Sequence, residues 1–565
     1  MATPNVSSKY EDIKSKSSKI SSGPPAVYQL RPKEEMFGTL TRKTVGEKNH
    51  NKTNKTILLV GETGTGKSTL INTLLNYTMG VKFEDNIWFE IVEREKKSQS
   101  KSQTSDVIMY EIFGFEGKTL PFSLTIIDTP GYGDTRGIEK DVIISQRLFD
   151  LFHSEDGVHE LSAVGLVLKA TENRLSDRLR YIFDSVVSLF GKDIEKNIVA
   201  FITHSNGITP EDALEALEAA NIKCAKDEEN QPVHFMFDNC QTEERTKKTR
   251  LPLGNAWRVT ETGMEEFKDF LEKSKPQQLK TTVEVLNARI RVTACIHNLQ
   301  DRIQLIELKQ NEIQLSQDVL KKHESCEMHK NEDFTVEVDE VYKEREPIGG
   351  VDFTFGFYEG AVCCKVCEET CHYPGCTVAK GPEDCEVMTG GIKFDIQSGL
   401  KLLGRGFGLE KFGIGGGRSG SNSHCTVCTN KCPVSDHVKE KWRYVNKTRK
   451  VKKTLQDVKE KYEENKPVTK KSLMENLQTE MEKLNAEKIK LLDEAYQHVV
   501  KLELIALNVN SMSTHVHLDF LIEKMKERED TEKIQKLEEM KRLEDEGTKA
   551  GLGYMFSKLT GWYSR

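Results

Sequence analysis

The run Gly61-Glu62-Thr63-Gly64-Thr65-Gly66-Lys67-Ser68, followed by Thr69, satisfies the pattern G-x-x-x-x-G-K-[ST]. Glycines at that spacing let successive backbone N–H groups turn inward on phosphate oxygens. Lys67 supplies a mobile cation for the outer phosphates, and Ser68 offers a hydroxyl to Mg²⁺. A strand-like TILLV precedes the loop and a helix-like TLINTLLNY follows it, the setting in which this pattern holds nucleotide rather than merely turning the chain. Downstream, an apolar run ends in Asp128-Thr-Pro-Gly131. Asp128 would hold the metal's water shell, and Gly131 would offer a backbone N–H to the terminal phosphate. Between the two motifs lies a hydrophilic segment, Glu95 to Asp106, expected to be a loop whose threonine closes on Mg²⁺ when a γ-phosphate is present. Thr104 is the expected residue, acting with Lys67 in catalysis, and Ser105 is the alternative.

A second chemistry is written in the thiols. Nine of the thirteen cysteines fall between Cys363 and Cys432. Cys364, Cys367, Cys371 and Cys376 repeat the spacing of Cys425, Cys428, Cys432 and His437. Each block supplies the donors of a closed tetrahedral Zn²⁺ site with no position left for water, so about two structural ions are expected. Whether each block holds its own ion or the blocks exchange ligands stays open, because Cys363, His372, Cys385 and His424 lie close by. Free buried thiols and a disulfide framework are the competing readings. Cys326 and His329 offer a further half-site.

The elements that must position these groups follow from apolar periodicity. Strand-length runs at Thr56 to Val60, Leu124 to Ile127, Ala163 to Leu168, Ile198 to Thr203 and His234 to Phe237 alternate with amphipathic helical stretches. This predicts an α/β domain over 56–273, a mostly parallel sheet with helices on both faces. Val292, Ile296, Leu299, Ile303, Ile306, Ile313 and Leu320 then recur at heptad spacing, broken by Gln310 and Gln317, which predicts one long coiled-coil helix in 276–325. A second seam, Leu477, Met481, Leu484, Leu491, Ala495, Leu502, Ala506 and Val509, has Lys488 and His498 out of pattern and falls in a basic, then heptad, region 439–545. The two helices are expected to fold back on each other as a stalk. The cysteine-rich module spans 326–438, with a Gly-rich loop from Gly404 to Gly420.

Residues 1–55 carry eleven Lys/Arg against five Asp/Glu and no hydrophobic period, and read as a flexible basic arm. Residues 439–471 hold thirteen Lys/Arg against five Asp/Glu, read most simply as a solvated helix face and alternatively as a site for an anionic partner. In 546–565, Leu552, Met555, Phe556, Leu559 and Tyr563 share one helical face, with Trp562 beside it. Over all 565 residues, 82 Lys and Arg meet 89 Asp and Glu, a net charge of −7 that excludes a basic nucleic-acid binder as a whole. The chain has neither an apolar run long enough to span a bilayer nor an apolar N-terminal leader, which places it in the cytoplasm as an expectation.

The order GETGTGKST, a loop threonine, DTPGYGD, RLSDRLRYIFDSVVSLFG and IVAFITHSNG resembles the P-loop GTPases of the septin and immunity-associated (GIMAP-like) group, over about residues 56–273. The resemblance implies a domain that binds GTP with Mg²⁺ and dimerises or polymerises through its nucleotide face. It places base recognition at Thr203, His204, Asn206 and Asn239. The chain departs from the general GTPase pattern twice. The guanine-reading [NT]-K-x-D stands here as Thr203-His204-Ser205-Asn206, and Tyr132 occupies the position where Ras-like enzymes orient water with glutamine.

These readings converge on a slow GTPase whose nucleotide state controls self-association or partner binding through a zinc-pinned helical stalk. Homo-oligomerisation through the GTPase domain and coiled coils is expected, with protein partners on the stalk, a membrane surface less favoured, and no specific nucleic acid. Two alternatives stand beside it: an ATP-binding relative of the same fold, and a nucleotide-independent zinc and coiled-coil scaffold. Intact Ser68 and Asp128 argue against the scaffold.

Overall fold

The structure, a computed structural model, describes residues 10–37, 40–92, 107–129, 147–149, 151–152, 154, 157–325, 335–349, 360–376, 379, 381–388, 423–454, 470–507 and 512–542. The chain divides into two compact units, one of Met1–Leu286, Leu502–Val516 and Lys536–Arg565, the other of Asn287–Lys501 and His517–Gln535.

The strands of the first unit are β1 (Ser18–Ser21), β2 (Ala26–Gln29), β3 (Lys33–Phe37), β4 (Leu40–Val45), β5 (Asn54–Gly61), β6 (Ile87–Glu90), β7 (Ile108–Ile112), β8 (Ser123–Asp128), β9 (Glu160–Leu161), β10 (Ala163–Lys169), β11 (Ile198–Thr203), β12 (His234–Met236) and β13 (Gln277–Gln278). Eight form one sheet in the order β12-β11-β10-β5-β8-β7-β4-β3, parallel except at β8·β7 and β4·β3. Its central strands are continuous apolar runs because they are buried on both faces: every residue of β8 and β11 is buried. The helices of this unit include α1 (Glu11–Ser15), α2 (Lys67–Met79), α3 (Asp177–Val187), α4 (Glu211–Ala219) and α5 (Arg250–Lys273). From α5, Phe267 meets Phe201 of β11 edge-on, with ring centroids 4.9 Å apart, and this contact ties the helix to the sheet.

The expected flexible arm at 1–55 is corrected by the structure. Within it, β3 and β4 extend the main sheet, while β1 and β2 join β6 in a second, three-stranded sheet. Tyr10, Val27, Leu30 and Leu40 are buried, and the Tyr10 hydroxyl donates to the Gly80 carbonyl at 2.9 Å. Edge strands of this kind are short and carry charge, which conceals them from a search for apolar runs. Glu34 and Lys43, cross-strand partners, pair at 2.9 Å.

In the second unit, β15 (Gly360–Cys364) lies between β16 (Glu369–Cys376) and β17 (His437–Glu440), and β14 (Thr335–Pro347) pairs antiparallel with β18 (Trp442–Thr454) along its whole length. The basic stretch therefore begins as a strand, correcting the expected helix. Its charge is answered across the ladder, Arg449 with Glu340 at 2.7 Å, Lys447 with Glu344 at 2.8 Å and Arg443 with Glu346 at 3.1 Å.

The long helices are α6 (Lys280–Ser325), α7 (Lys470–Ile505), α8 (Met512–Lys526) and α9 (Thr531–Arg542). The seam residues Val292, Ile296, Leu299, Ile303, Ile306 and Ile313 are buried, as are Leu477, Leu491 and Ala495. Lys488, out of pattern in its seam, reaches Glu307 of α6 at 2.9 Å, and Lys524 of α8 reaches the same carboxylate at 2.9 Å. Glu307 thus joins three helices where two were expected. Cys326, His329, the Gly404 to Gly420 stretch, Leu320, Val509 and the face of Leu552 to Tyr563 lie outside the described residues or side chains.

Candidate functional site

The phosphate loop begins where β5 ends. Gly61 closes that strand against β10: a Cβ there would fall 2.7 Å from the Val167 carbonyl oxygen. The Thr65 N–H and hydroxyl both return to the Glu62 carbonyl, at 3.2 Å and 2.9 Å, and close the turn on itself. Gly64 and Gly66 follow at φ +91 and +87, left-handed backbone that glycine adopts without strain. Gly66 caps α2, so Lys67 is its first residue, and Ser68 and Thr69 sit half-buried and exposed in its first turn. Glu62 is half-buried and Thr63 exposed.

Register brings the second motif alongside, because Asp128 pairs with Leu59 in the β5·β8 ladder. Asp128 is fully buried, and Lys67 lies 2.9 Å from its Oδ1. The same amine donates to the Thr129 carbonyl at 2.7 Å, and the Thr129 hydroxyl donates to the Leu59 carbonyl at 3.0 Å. Thr129 is a positioning residue that the reading of Asp-Thr-Pro-Gly passed over, although its place in the motif was the signal. Thr104, Ser105, Gly131 and Tyr132 lie outside the described residues.

The residues expected to meet the base begin at the end of β11. The Thr203 hydroxyl donates to the Thr65 carbonyl at 2.6 Å and so couples this strand to the phosphate loop. His204 has φ +55 and places its Nδ1 3.1 Å from Thr203 Oγ1; a Cβ on Gly66 would come 3.5 Å from its ring. Asn206 is exposed, and its Oδ1 accepts from Ile208 N–H at 3.0 Å in the turn. Asn239 Oδ1 accepts from the Thr73 hydroxyl of α2 at 3.0 Å, while its Nδ2 is buried without a hydrogen-bond partner among the described residues.

In the cysteine module the two blocks interleave. One group is Cys364, Cys367, Cys428 and Cys432; another is Cys371, Cys425, Cys428 and His437; in each, the donor atoms lie within 4.8 Å of one another. Cys367 and Cys432 bring their sulfurs to 3.6 Å, against the S···S edge of about 3.8 Å of a tetrahedron with Zn–S near 2.3 Å. Backbone N–H groups of Cys367 and Cys428 point at Cys364 and Cys425 sulfurs, each at 3.3 Å. His437 Nδ1 lies 2.9 Å from the Pro433 carbonyl, which fixes the proton there, and leaves Nε2 buried with no hydrogen-bond partner among the described residues. The donor set fits zinc. Cys376, the last thiol of its block, stands apart with His372 and Cys385. Its thiol is held down to about 6, first by the hydrogen bond from Cys385 and then by His372, against its burial. The described cysteines are free thiols.

A parallel sheet, a strand-loop-helix phosphate cradle and a carboxylate on the adjacent strand define the P-loop class. The Septin family matches residues 51–145, and the N-terminal part of the chain is a septin-like P-loop GTPase domain. Neuronal-specific septin-3 of Danio rerio is 29% identical over 212 residues, 34% of this chain and 55% of that protein. Immune-associated nucleotide-binding protein 10 of Arabidopsis thaliana is 30% identical over 158 residues, 28% of this chain and 29% of that protein. The chain thus spans between 29% and 55% of the length of these relatives. Among solved structures, Toc33 of Arabidopsis thaliana in complex with GDP and Mg²⁺ is similar at a TM-score of 0.28 with 16% identity, over 41% of this chain and 89% of that one.

Proposed function

We propose that this chain is a cytoplasmic GTP-binding protein and slow GTPase whose nucleotide state controls self-association or partner binding through its helical, zinc-pinned second unit. The observation that carries the reading is the convergence of Lys67, Asp128 and Thr129 at the mouth of the loop. Lys67 would meet the outer phosphates, Ser68 and Asp128 would hold Mg²⁺, with Thr104 joining them, and Thr203, His204, Asn206 and Asn239 would surround the base. When bound, Mg²⁺ would supply positive charge against the phosphates. Zinc would be held by Cys364, Cys367, Cys371, Cys425, Cys428, Cys432 and His437, with Cys428 shared.

The test is the full-length chain purified without added nucleotide, its bound nucleotide identified, and its sedimentation compared in GDP and in a non-hydrolysable GTP analogue. Bound guanine nucleotide and a shift in sedimentation are expected. Identical sedimentation in both states would remove nucleotide-controlled assembly, and failure to bind any triphosphate would leave the scaffold alternative.

A further inference from the structure

Among the described residues, the two interleaved groups leave one cluster of donors unused. His372, Cys376 and Cys385 bring a ring nitrogen and two sulfurs within 4.8 Å of one another, and their side chains are all buried. His372 Nδ1 lies 3.1 Å from Cys385 Sγ and 3.5 Å from Glu386 Oε2, a carboxylate whose side chain is only 11% exposed. Strand and turn cooperate in this: His372 and Cys376 sit four residues apart on β16, and Cys385 and Glu386 lie at the junction of two short 3₁₀ turns, Pro382–Asp384 and Glu386–Met388.

A buried histidine bonded to a cysteine is a common core feature and needs no metal. The convergence of two buried sulfurs and a nearly buried carboxylate on one ring points past it. The second of the turns flanking Cys385 is also anchored by Thr426, whose N–H and hydroxyl donate to the Val387 carbonyl at 2.9 Å and 3.0 Å, and His372 and Cys376 of β16 bring their donor atoms to Cys385. The buried amine of Lys439 donates to the Ala379 carbonyl at 2.6 Å. Two thiolates, a neutral imidazole and one carboxylate make a four-donor set of the kind Zn²⁺ takes.

We propose that His372, Cys376 and Cys385 form a third zinc site, with the Glu386 carboxylate as its fourth donor, separate from the two groups that share Cys428. Its ligand class is a borderline divalent cation, and its role is to staple the 381–388 segment onto β16. This goes beyond the two ions of the proposed function, and the experiment separates the two claims. Full-length wild type, Cys385→Ser and Glu386→Gln are purified reduced and zinc-replete, and bound zinc is measured before and after titration with a chelator. Three ions are expected in wild type and two in Cys385→Ser. Glu386→Gln should lose its third ion at a chelator concentration 10 to 100-fold lower than wild type does, the usual effect of a weakened ligand shell. Two ions in both wild type and Cys385→Ser would overturn the third site and leave the shared pair standing. A wild-type protein with none would overturn both, and an unchanged chelator profile for Glu386→Gln would remove the carboxylate from the site.

Discussion

Lys67 Nζ and Asp128 Oδ1 meet at 2.9 Å, the amine at the head of α2 and the carboxylate at the end of β8, where almost no solvent reaches either. The pair links the phosphate loop to the Asp128 motif in one contact. Lys67→Ala should therefore abolish triphosphate binding and also cost stability, about 3 kcal/mol or more, because it removes a partner from a fully buried carboxylate. Adding Asp128→Asn should recover part of the stability and none of the binding. Fluorescent triphosphate titration and denaturant unfolding of the two variants check this. Unchanged affinity in Lys67→Ala would remove the phosphate-loop reading.

Cys428 belongs to both four-donor groups, whereas Cys364 belongs to one. Cys428→Ser should thus weaken both ions of that pair, while Cys364→Ser should weaken one. Elemental analysis of the two variants decides it, and equal loss of a single ion from each would show that the thiolate is not shared.

These two sites differ in how much of them the amino-acid order revealed. The phosphate loop and Asp128 were legible because their function needs fixed residue types at fixed spacing beside apolar runs. The long helix α6 was legible from its heptad seam. The cysteine groups were half legible: the repeated spacing named most of their members, but which of them come together depends on how β15, β16 and β17 align, and Cys385 lies outside the repeat. What escaped were elements stabilised by partners far away in the chain. Strand β18 reads as a polybasic segment until β14, about a hundred residues earlier, places Glu340 opposite Arg449. Strand β4 was missed for the same reason, since its partner β7 lies far along the chain, and Lys488 looked like a flaw in a seam until Glu307 met it.

His517 of α8 is buried with both ring nitrogens lacking hydrogen-bond partners among the described residues, its ring edge-on to His297 at 5.6 Å. Burial drives its pKa down to about 3, with the His297 charge adding to the effect. The unfolded chain, with a histidine pKa of about 6.5, then holds one proton more than the folded chain between those two values. Stability therefore falls as pH drops through that window, by at most about 1.4 kcal/mol per unit from this group. Zinc sites lose ions in acid as well, so the informative quantity is the difference between proteins. His517→Leu should show a shallower loss of stability than wild type from pH 6 to pH 4, and parallel curves would show that the ring is already satisfied.

The last expectation concerns the base, where Thr203-His204-Ser205-Asn206 replaces the usual guanine-reading sequence. An aspartate accepts from both N1–H and the exocyclic amino group of guanine, whereas asparagine offers one acceptor and meets the other hydrogen with a donor. The missing charge-assisted bond is worth roughly 1.5 to 3 kcal/mol, or about 10 to 150-fold in affinity. Asn206 Oδ1 already accepts from Ile208 N–H at 3.0 Å, and an aspartate oxygen fills that role equally well, so Asn206→Asp should fold normally. Asn239 would contribute from the other side: Thr73 holds its carbonyl, and its Nδ2, without a hydrogen-bond partner among the described residues, is a donor suited to the guanine O6 edge. Wild type should then prefer GTP over ATP modestly, Asn206→Asp should widen that preference by about 10-fold or more, and Asn239→Ala should narrow it. Competition among GTP, ATP and XTP for the three proteins measures all of this. An unchanged GTP to ATP ratio in Asn206→Asp would place that side chain away from the base, and equal affinity for both nucleotides throughout would replace the guanine reading with the ATP-binding alternative.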